Sequence, residues 1–318
     1  MNQELFERRY RDFWLSQGTI LDKLERGAKD LEPNEMTIFP HHYRRLCKHL
    51  ALARDRQFSA TLVEELNQIV MRAHRQIYEK SKGSTFSFSQ FLAFEFPGAV
   101  RREARLFWVS SLLFYGSLVA TFTAIQQNPD LVYSFISPSQ AAQYAEMYAE
   151  PLERSPAQDI GMFGFYIRNN VGIAFRTFAS GLLLCIGSIL IILFNGLSIG
   201  AVAAHITNAG HSEQFWNFVC GHAPFELTAI VLAGAAGMRM GLAILIPGNR
   251  TRGLALIETG KAVLPIVCGM GLMLVLAAFI EAFWSPRFLA AEIKYGVSGA
   301  LWLLVAVYFL FAGRTRAT

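Results

Sequence analysis

From Phe107 to Phe311 the chain carries five apolar runs, at 107–125, 171–194, 222–246, 262–284 and 296–311. Most of them reach the roughly 20 residues that a helix needs to cross a bilayer. In lipid every backbone N–H and C=O must be satisfied internally, which leaves helices and closed barrels as the spanning structures. Runs of this length are helical in character, so the chain is expected to be an all-α polytopic membrane protein. Composition agrees, since 17% of the 318 residues are charged, where a soluble protein has about 25%.

The charge that is present sits at the N-terminal end. Residues 1–105 hold 18 Lys+Arg and 14 Asp+Glu. Within 39–58, Tyr43, Leu46, Leu50 and Ala53 recur at spacings of three and four, and Leu62, Leu66, Ile69, Val70, Ala73, Ile77 and Tyr78 continue that period. One apolar stripe per helix requires a partner. The spacing therefore predicts an antiparallel helical pair, ending at the loop K-S-K-G-S, inside a cytoplasmic amphipathic helical domain over 1–83. His41, His42 and His74 lie on charged helices away from any Cys or carboxylate cluster and read as surface or half-buried imidazoles. The excess of +4, 18 minus 14, suits a face near anionic membrane lipid. No basic-aromatic motif points to nucleic acid. The first residues lack the apolar core of a cleaved signal, and four scattered cysteines read as small packing residues.

Residues 84–105 pack Phe residues tightly before Pro97-Gly98, so they are expected to form an interfacial helix that leads into a membrane domain over 106–318. Arg101, Arg102 and Arg105 mark its cytoplasmic edge. The segment 126–170 holds five acids, Asp130, Glu146, Glu150, Glu153 and Asp159, against Arg154 and Arg168, and reads as an ordered external element. The basic loop 247–261 and the tail with Arg314 and Arg316 belong inside by the same rule. That placement needs an odd number of crossings after the external element, whereas 171–194 and 222–246 supply two. Six crossings follow if the short stretch 195–221, which opens with Asn195-Gly196, is itself a broken crossing, leaving both termini cytoplasmic. Five crossings with an interfacial segment is the alternative. The location read from this is a bacterial cytoplasmic (inner) membrane, multi-pass, with the N-terminus in the cytoplasm.

Ionisable residues inside spans need partners or water. Arg176, Glu226, Arg239 and Glu281 qualify, and six crossings place Arg176, Glu226 and Glu281 on the outer side near His205, His211 and His222. A contact between Arg176 and Glu226 is the expected pair, while Arg239 reaches the cytoplasmic face. His222 and Glu226 stand four apart on one helix face. The H-E-x-x-H spacing of zinc proteases is missing, so the pair reads as a helix-start cluster, with proton or ion handling as the sharper alternative. No catalytic residue, metal or cofactor is expected, a membrane-embedded metal-dependent hydrolase being the minor alternative. Gly196, Gly200, Gly234 and Gly237 allow close helix approach. A permeation path along a broken helix is the competing meaning of the same glycines.

These motifs together resemble the stage II sporulation protein M family of integral membrane proteins. The resemblance rests on Tyr43, Arg44, Leu46, Leu50, Ala51, Ala53 and Arg54, then on Leu66, Asn67, Val70, Ala73, His74, Ile77 and Tyr78. It continues through Phe96-Pro97 with Arg101-Arg102, Asn195-Gly196 with Gly200, His222 with Glu226, and the run G-A-A-G. The family's H-G-x-x-E stands here as H-A-P-F-E, with Ala223 and Pro224 following the histidine. The sporulation member of that family is similar to a membrane anchor that recruits cell-wall-degrading partners, and the resemblance implies no enzymatic activity. The expected function is accordingly a scaffold of a cell-envelope complex that binds membrane lipid and protein partners on one or both faces and assembles as a homo-oligomer, a dimer being the simplest. A channel or transporter using 195–226 is the alternative.

Overall fold

The computed structural model describes residues 2–26, 33–79, 87–149 and 154–314. Glu150, Glu153, the loop K-S-K-G-S, residues 84–86 and Arg316 lie outside the described residues. The chain divides into two units, one ending at Ser87 and one beginning at Phe88.

In the first unit, α1 (Gln3–Arg26), α2 (Pro33–Asp55) and α3 (Ala60–His74) enclose a core. The predicted stripes face inward, since Leu46, Leu50, Ala53, Leu62, Leu66, Val70 and Ala73 are all buried. The third layer is α1, whose Phe6, Trp14 and Leu21 fill the same core. Ser59 caps α3 by accepting from the Leu62 N–H, and Gln3 bonds both the backbone and the hydroxyl of Ser59. Arg72 of α3 pairs with Asp22 and Glu25 of α1, which holds the Glu25 carboxyl below its ordinary range. His49 is buried among Phe6, Tyr10, Phe13 and Trp14, and its Nδ1 accepts from Trp14 Nε1 at 2.9 Å. Burial, and then the Arg45 guanidinium, push its pKa down to about 4.

The second unit opens with α4 (Phe88–Gln90), a wide turn over Phe91–Glu95, and α5 (Phe96–Arg102). Their Phe91, Phe96, Ala99 and Val100 are buried against the long helices. Six long helices follow: α6 (Ala104–Gln127), α8 (Pro156–Ala179), α9 (Ile186–Asn208), α11 (Ala223–Leu245), α12 (Arg252–Phe283) and α13 (Ala291–Phe311). Between them stand the short α7 (Pro138–Met147) and α10 (Ser212–Val219). The protein is thus an all-α membrane protein, with five of the long helices apolar enough to cross a bilayer by length and composition. The sixth, α8, is more polar, and it packs along α11 and α12.

Hydrogen bonds between helices fix the direction of each one. Ser117 of α6 reaches Leu193 of α9, and Gln126 reaches Ala204, so these two run parallel. Ser110 of α6 bonds Val231 while Glu103 pairs with Arg239, so α11 runs the opposite way. Asp159 of α8 meets Arg287 just beyond α12, and Arg101 donates to Phe309 at the end of α13. Hence α6, α9 and α12 run from an end covered by α5 towards an end covered by α7 and α10, and α8, α11 and α13 return. α11 is the axis: 78% of its apolar window is buried, against 22% for α6 and 17% for α13.

Two expectations change here. The run 171–194 is no single span, because α8 ends at Ala179 and the chain turns through Ser180–Cys185 before α9 begins. Leu184 and Cys185 hold left-handed φ values of 54° and 70° in that turn. Conversely, Asn195-Gly196 does not break the helix, since α9 passes through it unbroken. Asn195 donates back to the Ile191 carbonyl at 2.9 Å, which satisfies the amide inside lipid. Six long helices are therefore present, but the one that composition hides is α8, and the short broken piece at 195–221 is the second half of α9 followed by α10.

Candidate functional site

Polar side chains gather at the α7 end of the bundle. Pro224 stands in the first turn of α11 and fixes its start, so His222 becomes the N-cap and Glu226 falls within the first turn. A carboxylate is favoured there by the helix dipole. Glu281 arrives from the last turn of α12, and one ligand atom from each of His222, Glu226 and Glu281 lies within 4.8 Å of the other two. His222 Nε2 and Glu226 Oε2 are 3.9 Å apart.

Neighbouring elements hold these groups in place. Ser285 Oγ sits 3.2 Å from His222 Nδ1, and the Lys294 ammonium anchors the Ser285 carbonyl at 2.8 Å. Asn170, buried on α8, donates to Glu281 Oε2 at 3.4 Å. Arg154 bonds the hydroxyl of Tyr166, itself buried against α12. Gly221 lies under the Trp284 ring, where any Cβ would collide, so the turn entering α11 is pressed onto the end of α12. Beside the cluster is a cavity of about 280 Å³ whose walls include Tyr148, Asn217, Ser285 and Lys294. Ser285 thus faces both His222 and the cavity.

The other residues singled out by sequence go elsewhere. Arg176 is on the α5 side of α8, exposed, with its Nε on the Gly172 carbonyl, so the expected Arg176 to Glu226 pair does not form. The chain reverses at Ser180–Cys185, which puts Arg176 at the far end of the bundle from Glu226. Arg239 pairs with Glu103 at 3.0 Å at the α5 end. His205 bonds the Ala141 carbonyl at 2.9 Å, tying α9 to α7, and His211 stands half-buried at the N-cap position of α10 without a side-chain capping bond. Neither enters the cluster.

The glycines are contact points. A Cβ on Gly196 would meet Ser117 and the Phe114 carbonyl, on Gly200 the Leu118 carbonyl, and on Gly234 both Ser110 and Ile192. At Gly237 it would meet Ser188 and the Phe178 carbonyl. Backbone therefore touches backbone between α6 and α9 and between α11 and the end of α8, while α11 meets α6 and α9 through the small side chain of serine and through Ile192. Sequence reading missed Asn170, Ser285 and Asp159, since nothing in the local pattern says which helix ends converge. The buried Asp159, paired with Arg287, carried the one usable signal, an acid placed just inside a capped helix start at Ser155.

A family model described as stage II sporulation protein M matches residues 107–286, more than half of the chain. A domain of unknown function matches residues 4–79, so the patterns between Tyr43 and Tyr78 fall in that match and outside the first. No curated protein and no solved structure matches the chain.

Proposed function

The chain belongs to the stage II sporulation protein M family of membrane proteins, and from that premise we propose that it is a non-enzymatic scaffold of a bacterial cell envelope. In this reading it sits in the cytoplasmic membrane with the first unit and the α5 end inside. The α7 end then faces outward and receives protein partners.

One observation carries the reading: the α7 end is a built platform. Ser137 and Gln140 form a capping box that starts α7 behind Pro138, and His205 pins that helix to α9. Tyr148 packs its ring on Phe215 and Phe218 of α10. On this braced layer Tyr133, Phe135, Met147, Phe288 and Leu289 remain exposed. Apolar groups on a rigid, capped surface are what a partner would bury. A linker between two spans would need none of this bracing.

The bundle interior favours the same reading. The glycine contacts bring α6, α9 and α11 together without the broken helix that a pathway through 195–226 presupposes. Photo-reactive residues in place of Tyr133, Phe135 and Phe288 test the proposal in growing cells. The expected result is a recurrent protein adduct from at least two of the three positions. Adducts with lipid alone, from all three, would contradict it.

A further inference from the structure

We propose that His222, Glu226 and Glu281 form a binding site for one first-row divalent cation, zinc or a close neighbour, at the α7 end of the bundle. The donor set is one imidazole nitrogen and two carboxylates. That mixture suits zinc, iron or manganese, whereas calcium and magnesium favour oxygen alone.

The first argument is geometry, and His222 supplies the nitrogen of this set. His222 is 5% exposed. Its Nδ1 is taken up by Ser285, but its Nε2 has no hydrogen-bond partner among the described residues, the nearest acid oxygen in an ion pair being 3.9 Å away. The three ligand atoms lie within 4.8 Å of one another, and Nε2 is 3.9 Å from Glu226 Oε2. The distance is too long for a hydrogen bond and close to what a shared metal imposes. Bonds of about 2.0–2.2 Å to zinc separate neighbouring ligand atoms by roughly 3–3.5 Å. Closing 3.9 Å to that value takes a change of a few tenths of an ångström in two side chains.

The second argument is charge. Glu226 and Glu281 converge within 4.8 Å of each other in a helix bundle, and neither forms an ion pair with Lys or Arg among the described residues. The Arg154 guanidinium bonds the Tyr166 hydroxyl and reaches Glu281 only by longer-range attraction, and the Lys294 ammonium bonds the Ser285 carbonyl. Two carboxylates in such a place need a proton or a cation between them. The imidazole in the same cluster adds a nitrogen donor to the two carboxylates, a set that a first-row divalent cation uses.

The third argument is support and access. Metal ligands are held by outer partners that fix their orientation. Ser285 on Nδ1 does this for His222, and Asn170 does it for Glu281. The 280 Å³ cavity bounded by Ser285 offers an approach from the surface. Its wall includes Asn217, whose Oδ1 is buried without a hydrogen-bond partner among the described residues. Three protein ligands leave coordination positions open on a small ion. The inference stands apart from the scaffold reading, since a cation here would staple α11 to α12 whether or not the platform above it binds a partner.

The test uses the full chain in detergent, free of any histidine tag, stripped with a chelator and titrated with Co²⁺ and then Zn²⁺. The expected result is one equivalent of Co²⁺ with the visible absorption of an ordered nitrogen and oxygen site, displaced by Zn²⁺. Each of His222→Ala, Glu226→Gln and Glu281→Gln should weaken binding by at least about tenfold, and Ser285→Ala by about tenfold, as outer partners of metal ligands do. Glu292→Gln, an exposed acid on α13, should bind as the native chain does. Unchanged titrations in Glu281→Gln and His222→Ala would overturn the proposal. Should those variants fail to fold, the native protein decides alone: a rise in melting temperature with Zn²⁺ supports the site, and no rise at saturating Zn²⁺ overturns it.

Discussion

The two units of this molecule solve the same problem, packing helices side by side, with opposite materials. In the first unit the contacts are large side chains: Phe6, Trp14, Leu21, Leu46 and Leu66 are completely or almost completely buried. In the second the closest contacts are made where side chains are absent, at Gly181, Gly196, Gly200, Gly234, Gly237 and Gly241. The solvent explains the difference. Water drives large apolar groups together, so bulk is stabilising in the first unit. Lipid is as apolar as leucine and offers no such drive, so helices there associate by close van der Waals contact and by hydrogen bonds between them. The bonds from Ser110 to Val231 and from Ser188 to the Thr177 carbonyl are of that kind.

The contrast breaks most visibly where bulk is exchanged. Gly237→Leu drives a side chain into Ser188 and the backbone of Phe178. It should destabilise the second unit by about 3 kcal/mol or more, the upper range for overpacking. Gly271→Leu, on an open face of α12 with nothing within 4 Å of a new Cβ, should be tolerated. In the first unit the sign reverses, and removal is what harms: Trp14→Ala should cost about 3–5 kcal/mol. Hydrogen exchange resolved by helix reads all three in one protein. Equal tolerance at Gly237 and Gly271 would mean that close approach is not what holds the second unit.

A smaller effect sharpens the comparison through pH. His49 is neutral in the folded first unit, with a pKa near 4 against 6.5 for the free side chain. Between those values the unfolded chain binds the proton and the folded one does not, so stability falls as pH drops from about 6.5 to about 4. Protection of α1 and α2 against exchange should decline across that window. In His49→Gln the decline should be shallower, and a slope unchanged by the substitution would show that His49 is not its source.

How far the sequence reveals this molecule follows the same division. In the first unit each helix has one buried stripe, so Leu46, Leu50, Leu62 and Leu66 announce their role by spacing. In the second, nearly all-apolar helices carry no such stripe, and boundaries have to be read from breakers. That is where the reading slips. The turn at Ser180–Cys185 is built from S-G-L-L-L-C, which looks like the inside of a span. Asn195-Gly196 looks like a break and is a close contact, its amide turned back on the Ile191 carbonyl. α8 looks external because Asp159, Arg168 and Asn170 are polar, yet Asp159 and Asn170 are spoken for by Arg287 and Glu281.

The candidate site shows the same mixture. His222 and Glu226 are legible as a pair at i and i+4, and charge parity puts Glu281 near them. Arg176 is assigned to the wrong end because the turn is misplaced. Ser285 and Asn170 carry no local signal, since their importance comes only from where α8 and α12 finish.

On the scaffold reading proposed above, 195–226 packs within the bundle and at its α7 end and forms no conducting path. Purified protein reconstituted into sealed vesicles and assayed for ion and small-solute flux tests this most directly. Flux no greater than in protein-free vesicles is expected. A flux that depends on the protein and is abolished by Glu226→Gln would contradict that reading.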